Sequence, residues 1–225
     1  MTLPATVPHD SAATRERILD VAERLFAERG ILATSVREIT AAAGCNLAAV
    51  SYHFGGKENL YREVFARRLG GLRELRLHSI RRTLEAAGEA ATLELLLRQY
   101  GAAFLEPLVG EGGGPVLTQL ISREMIEPHL PDEMFARQVI EPVHEAFADA
   151  LVRLCPGLTR ASARRCSHSV VGLLVNVLHV RRCFGERAPE GARCALPEMV
   201  EHVVGFAAAG IRAVAVADRA RGLAP

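Results

Sequence analysis

Lysine is nearly missing from this sequence: Lys57 is the only one, and arginine supplies the rest of the 27 basic residues. Against 26 acidic residues the formal net charge is only +1, so no bulk excess of one sign points to a polyanionic partner. No apolar run approaches the ~18 residues needed to cross a bilayer, which excludes a membrane channel. The stretch from Met1 to Asp10 lacks a basic start followed by an apolar run, so no secretory leader is expected. Five cysteines, an odd number without close pairs, argue against a disulfide framework and for a reducing cytoplasm. What is present is 49% apolar and 24% charged types over 225 positions, the balance of a core-forming chain of one large domain or two small ones.

The dominant period is helical. Ile18, Leu19, Ala22, Leu25 and Phe26 make one apolar stripe, with Thr14 placed to cap the helix and Gly30 to close it. Ser35-Val36-Arg37-Glu38 has the form of a capping box opening a second helix with Val36, Ile39 and Ala43 inward. Gly44 permits a sharp turn, and Asn46 is a good N-cap for a third helix ending near Phe54. Beyond Gly55-Gly56, periodicity predicts helices over 57–87, 91–109, 115–127, 132–154, 159–184 and 196–219. No alternating apolar and polar run suggests a strand. The expectation is an all-α fold of about nine helices. An N-terminal arm over 1–13, disordered, precedes a three-helix domain over 14–56; a larger helical body over 57–219 and a tail over 220–225 follow.

Two short helices joined by a glycine turn and buttressed by a third can deliver a helix into a DNA major groove. On the third helix, at 100° per residue, Val50 and Phe54 share the core side, while Ala48, Ala49, Tyr52 and His53 lie opposite. Small residues first and hydrogen-bonding rings after would let the helix start approach base edges while the rings reach phosphates. Leu47 borders both faces and suits either inward packing or a thymine methyl.

The ordered landmarks Arg17-Ile18-Leu19, Ala22-x-x-Leu25-Phe26, Gly30, Thr34 to Ile39, Ala43-Gly44, Tyr52-His53-Phe54 and Lys57-Glu58-x-Leu60 resemble the DNA-binding domain of the tetracycline-repressor (TetR) family. Two departures are Cys45-Asn46 where valine-serine is common, and Ser51 where tyrosine is common. By position the resemblance implies groove contact from Leu47 and Ala48, with Asn46 keeping the capping role. It implies phosphate contact from Ser35, Ser51, Tyr52, His53 and Lys57, and Arg37 adds to a local basic patch. The stretch from Arg123-Glu124-Met125 through Phe135 to Pro142 is similar to the C-terminal domain of the CecR-like subgroup of that family.

The body carries no nucleophile, phosphate-loop or metalloprotease motif, so an enzyme is not expected, and neither is a cofactor or resident metal. Glu124 and Glu127, a turn apart, read as a solvated acidic face. Gln99, Tyr100, Phe104, Leu120, Arg123, Met134, Phe135 and His144 supply the mixture of apolar wall and orienting polar groups that a pocket for a small-molecule effector needs. The resemblance implies that such an effector releases a palindromic DNA operator by moving the helix that begins at Lys57. Helices 159–184 and 196–219 are too apolar for one body to cover. A homodimer through Val171, Leu174, Leu178, Val203, Phe206 and Ile211 is the expected cover. Two alternatives stay open. Cys155, Cys166, Cys183 and Cys194, with His179 one turn from Cys183, suit a metal- or thiol-responsive regulator of the same fold. A helical adaptor without DNA binding is the other.

Overall fold

The structure is a computed structural model that describes residues 11–110, 114–131, 136–184 and 195–222. Among the described residues every regular element is helical: α1 (Ser11–Arg29), α2 (Val36–Ala42), α3 (Ala48–Phe54), α4 (Lys57–Ala87), α5 (Leu93–Val109), α6 (Gly114–Ile126), α7 (Glu141–Leu154), α8 (Arg160–Phe184) and α9 (Leu196–Ala220). The fold class and the sequence periodicity agree. Two expectations at the N-terminus do not. Ser11 to Ala13, assigned to the arm, form the first turn of α1, while residues 1–10 lie outside the described residues. Thr14 is therefore not the cap but a buried first-turn residue whose hydroxyl accepts from Arg17 Nη2 at 3.1 Å. Ahead of α7, residues Ala136–Ile140 form a wider π turn, because Pro142 has no N–H to return to the preceding turn.

The chain divides into two units. The first comprises the described residues up to Leu69 together with Pro115–Leu130; the second comprises Gly70–Gly114 and the described residues from Pro131 onward. The break thus falls within α4, not before it at residue 56. The reason is visible in the packing: Leu60, Tyr61, Val64, Phe65 and Leu69 are all buried, as are Ile18, Phe26, Ile39 and Val50 of α1 to α3. The Phe26 and Tyr61 rings meet edge-on at 5.1 Å, and Tyr61 meets Phe65 at 4.9 Å. A buried carboxylate tightens the same seam. Glu23 accepts from Arg67 Nη2 at 2.9 Å and Arg68 Nε at 2.8 Å, while Arg67 also reaches Asp20 at 2.8 Å.

In the second unit α7 packs along α8, and α9 packs on α5 and α8. Gly101 on α5 lies at this junction: a Cβ there would sit in ordinary van der Waals contact with Val200 at 3.6 Å and Leu174 at 3.7 Å. By length and composition α9 is apolar enough to cross a membrane, contrary to the expectation from the sequence, and it alone is so among the described residues. Val200, Val203, Val204, Ala207, Ala208, Ile211 and Ala215 are buried within the protein, which uses that apolarity in the core. Asp218 near its end accepts from Thr159 N at 3.0 Å and Thr159 Oγ1 at 2.8 Å, fixing α9 to the start of α8.

Candidate functional site

The α2-turn-α3 segment forms by local rules. Glu38 N donates to Ser35 Oγ at 3.2 Å while Ser35 N donates to Glu38 Oε2 at 2.9 Å, the reciprocal capping box that opens α2. Gly44 turns the chain at φ 62°, and Asn46 Oδ1 accepts from Ala48 N at 3.0 Å. Asn46 therefore caps α3 as expected, with one tight turn before regular helix begins at Ala48. Gly55 at φ 75° closes α3, its N–H returning to Ser51 O at 2.9 Å.

This anchoring leaves one face of α3 without a packing role. Val50 and Phe54 are buried, whereas Asn46, Leu47, Ala48, Ser51 and Tyr52 are exposed and His53 is half-buried. Leu47 is thus an outward residue, 51% exposed, and Tyr52 is the most prominent at 81%. The Tyr52 and His53 rings meet edge-on at 4.9 Å. On α2, Arg37 is exposed and no carboxylate pairs with it among the described residues. The geometry alters two expected phosphate contacts. Ser35 already donates its hydroxyl to Glu38 Oε2 at 2.7 Å. Lys57 is half-buried, and its ammonium donates to Ile31 O at 2.9 Å and Thr34 O at 3.1 Å, clamping the α1–α2 connection. At most one of its three N–H groups remains for an anion.

Arg123 and Leu120, expected in an effector pocket, belong to the first unit. Leu120 is fully buried there. Arg123 donates to Ala27 O at 2.7 Å and Glu28 O at 2.6 Å, where the C-terminal carbonyls of α1 lack helical partners and attract a cation. Glu124, read as solvated, is 7% exposed. Its Oε2 accepts from the Tyr61 hydroxyl at 2.8 Å, and its Oε1 accepts from His129 N at 2.8 Å and Leu130 N at 2.6 Å. Burial and this carboxylate push the Tyr61 phenol pKa up. Pro128 supplies the missing clue: it ends α6 and folds the next two backbone N–H groups back onto Glu124.

In the second unit Tyr100, Phe104 and His144 are buried; the Tyr100 and Phe104 rings lie 6.2 Å apart, and Tyr100 stacks on Phe147 at 4.3 Å. Gln99 is exposed, one helical step away from Tyr100 on the solvent side of α5, so it does not join them. Met134 and Phe135 lie outside the described residues. His144 Nδ1 lies 2.6 Å from Ser167 Oγ, and its ring stacks on His168 at 4.1 Å. Burial, His168 and Arg76 push its pKa down to about 4, with Glu145 opposing. The unfolded imidazole protonates near pH 6.5 and the folded one only near 4, so acid favours unfolding across that window. Urea unfolding at pH 7 and pH 4.5 should therefore show a stability loss, of which about 2 kcal/mol disappears in His144→Gln.

Three of the six expected dimer residues face inward: Leu174, Val203 and Ile211 are buried in the core of this unit. Val171 and Leu178 are half-buried, and Phe206 is 65% exposed. Both helices are apolar nearly all round, so sequence alone could not separate the core stripe from the outer one. The outer stripe runs Gly172, Val175, Asn176, His179 on α8 and Gly205, Phe206, Ala209, Gly210, Val216 on α9, all exposed at helical spacing.

Two sequence profiles match the chain. One, described as bacterial regulatory proteins of the tetR family, covers residues 18–64; the other, a tetracyclin repressor-like C-terminal domain, covers residues 101–210. The chain belongs to the tetR family of bacterial regulatory proteins. The HTH-type transcriptional dual regulator CecR of Shigella flexneri is 33% identical over 137 residues, 58% of this chain and 59% of that protein. The HTH-type transcriptional regulator AcrR of the same organism is 40% identical over 68 residues, 30% of this chain and 32% of that protein. The chain therefore spans about a third to three-fifths of the length of these relatives. The crystal structure of a putative TetR-family regulator from Mesorhizobium loti MAFF303099 superposes with a TM-score of 0.65 at 21% identity, covering 91% of this chain and 98% of that one, which speaks for the fold.

For this tetR-family chain the regulatory class carries no enzymatic chemistry. The thiol alternative meets buried side chains: burial pushes the Cys155 and Cys166 thiols up in pKa, away from the reactive thiolate. Among the described residues no three histidine, cysteine, aspartate or glutamate side chains converge to hold a metal. Cys194 and the side chain of Cys183 lie outside the described residues.

Proposed function

We propose that the protein is a homodimeric, ligand-responsive transcriptional regulator, acting as a repressor, that binds a palindromic operator through α3 and leaves it when a small molecule occupies the second unit. The observation that carries this reading is the outward face of α3. Leu47, Ala48, Ser51 and Tyr52 do nothing for the fold, yet stand on a helix capped and clamped at both ends. A rigid helix with small residues at its start and hydrogen-bonding groups beyond suits base edges and then phosphates. Arg37, free of carboxylates, adds charge beside it. Selection from a random duplex library tests the reading. An inverted repeat should emerge whose half-site centres lie one DNA turn apart, roughly 34–36 Å, or a multiple of that. Failure to enrich any duplex at low salt would overturn it, leaving the adaptor.

The dimer is proposed through the outer stripe of α8 and α9, where Gly172, Gly205 and Gly210 allow two helix pairs to approach closely around Phe206. Phe206→Glu should leave the fold intact, because the side chain is 65% exposed, and convert the protein to a monomer by light scattering. A variant that remains dimeric places the interface elsewhere.

The switch is proposed to run through α4, which contributes to both units and carries Gly70-Gly71 where the division falls. A Cβ at either glycine would meet nothing within 4 Å, so packing does not require them. Two adjacent glycines inside a helix weaken it by about 0.5–1 kcal/mol each and make it easier to bend. Replacing both by alanine should raise stability by about 1–2 kcal/mol and blunt effector-induced release of DNA. Unchanged release would remove the bend from the mechanism.

A further inference from the structure

Arg76 sits on the buried stripe of α4, between Leu72 and Ile80, where a charged residue is out of place. Its Nε is completely buried and has no hydrogen-bond partner among the described residues. Its guanidinium carbon lies 3.9 Å above the Phe104 ring centre, so one flat face of the cation is taken up by the aromatic ring. Tyr100 and His144 are the polar groups that sense its charge, and both are themselves buried. Neither neutralises it. Tyr100 remains a neutral phenol, its pKa pushed up to about 12 by burial, and His144 remains a neutral imidazole above about pH 5. Burial correspondingly pushes the Arg76 pKa down.

A half-buried cation whose Nε is sealed, and with which no carboxylate pairs among the described residues, is unfavourable, and arginine does not shed its proton at neutral pH. Stacking on Phe104 covers one face of the guanidinium; its Nε edge has the geometry to grip a carboxylate with two parallel hydrogen bonds, and a ligand that reaches it displaces the protein atoms that enclose Nε here. The surrounding wall of Phe104, Tyr100 and Phe147 is apolar and aromatic. With one cation present, a monoanion brings the cluster to neutrality, whereas a dianionic phosphate would leave a buried negative charge.

We infer that Arg76 anchors an anion site in the second unit, and that the effector carries a carboxylate on an apolar or aromatic body. The carboxylate engages the Nε edge of Arg76, Tyr100 and His144 offer neutral hydrogen-bonding groups beside it, and the aromatic rings take the body of the molecule. The word effector rests on the ligand-gated reading above; the anion site does not.

The test uses the full chain with benzoate and hexanoate against their primary amides, benzamide and hexanamide, at pH 7.5. Thermal shift and calorimetry should show binding of the acids and not of the amides. Affinity for the acids should fall at least tenfold in Arg76→Gln, with Arg76→Lys between the two, since lysine keeps the charge and loses the fork. Without ligand, Arg76→Met should melt at or above the wild type, because it removes a charge that no described carboxylate offsets and a buried Nε with no partner among the described residues. The site is overturned if neither acid binds, if amides bind as tightly as acids, if Arg76→Gln binds the acids unchanged, or if Arg76→Met melts well below the wild type. A separate arm adds the acids to the protein bound to its selected duplex. Acids that bind through Arg76 and leave the DNA complex intact uphold the anion site and remove the effector role. Release by an uncharged compound that ignores Arg76 upholds ligand gating and removes the anion.

Discussion

Ala48→Trp should reduce affinity for the selected duplex by at least a hundredfold while leaving the melting temperature within about a degree of the wild type. Ala48 is exposed, so the indole would project into solvent and disturb no core contact. On DNA the same side chain would hold the start of α3 away from the base edges, losing direct contacts individually worth about 1–3 kcal/mol. Arg37→Ala should behave differently. A phosphate contact carries no direct sequence information, so every duplex should weaken alike and the salt dependence should fall by about one counter-ion. Tyr52→Phe should also act uniformly but leave the salt slope in place. Filter or anisotropy titrations of matched and scrambled duplexes separate these outcomes. Equal losses for Ala48→Trp and Arg37→Ala on all sequences would show that α3 does not read bases.

The second large effect concerns stability. Glu124→Ala should lower the free energy of unfolding by about 3–4 kcal/mol, because it strands the Tyr61 hydroxyl and the His129 and Leu130 N–H groups together. Glu124→Gln should lose roughly half as much. Its amide oxygen can accept from the two backbone groups while its amide nitrogen donates to the Tyr61 oxygen. Denaturant unfolding of the two variants tests this, and equal losses would contradict the account. Tyr61→Phe removes a single bond and should fall below both, at about 1 kcal/mol.

Much of this was legible in the sequence where local rules decide. The capping box at Ser35, the turn at Gly44, the Asn46 cap and the inward pair Val50 and Phe54 each depend on neighbours within four residues, and all appear as read. What depended on distant partners was not legible. Arg123 reads as a pocket residue and Glu124 as part of a solvated acidic face until α1 and Tyr61 arrive from about sixty to one hundred positions earlier. Lys57 reads as a phosphate contact because nothing nearby in sequence announces the carbonyls of Ile31 and Thr34 that its ammonium holds. The inward position of Leu174, Val203 and Ile211 is not legible on helices whose apolar residues cover nearly the whole circumference. Arg76 did carry a signal: its stripe from Leu72 to Ile80 is otherwise apolar, and a cation there demands a reason.

The bonds that Ser35 and Lys57 already make narrow the proposed DNA face. Ser35 and Lys57 hold α2 and the α1–α2 connection in place, so their substitution should first appear as lost stability. Leu47, Ala48, Ser51, Tyr52 and Arg37 carry the recognition proposal, with His53 half-buried at the edge of that surface.

The central claim is that the outward face of α3 reads DNA, and the most direct measurement is an anisotropy titration of the selected duplex between 50 and 200 mM salt with wild type and Ala48→Trp. The account predicts saturable binding by the wild type, a linear fall of log affinity with log salt, and preference for the selected over a scrambled duplex of roughly a thousandfold or more. It predicts that Ala48→Trp retains only the weak, salt-sensitive component. Binding by Ala48→Trp as tight and as selective as the wild type, or no binding to any duplex at 50 mM salt, would contradict it.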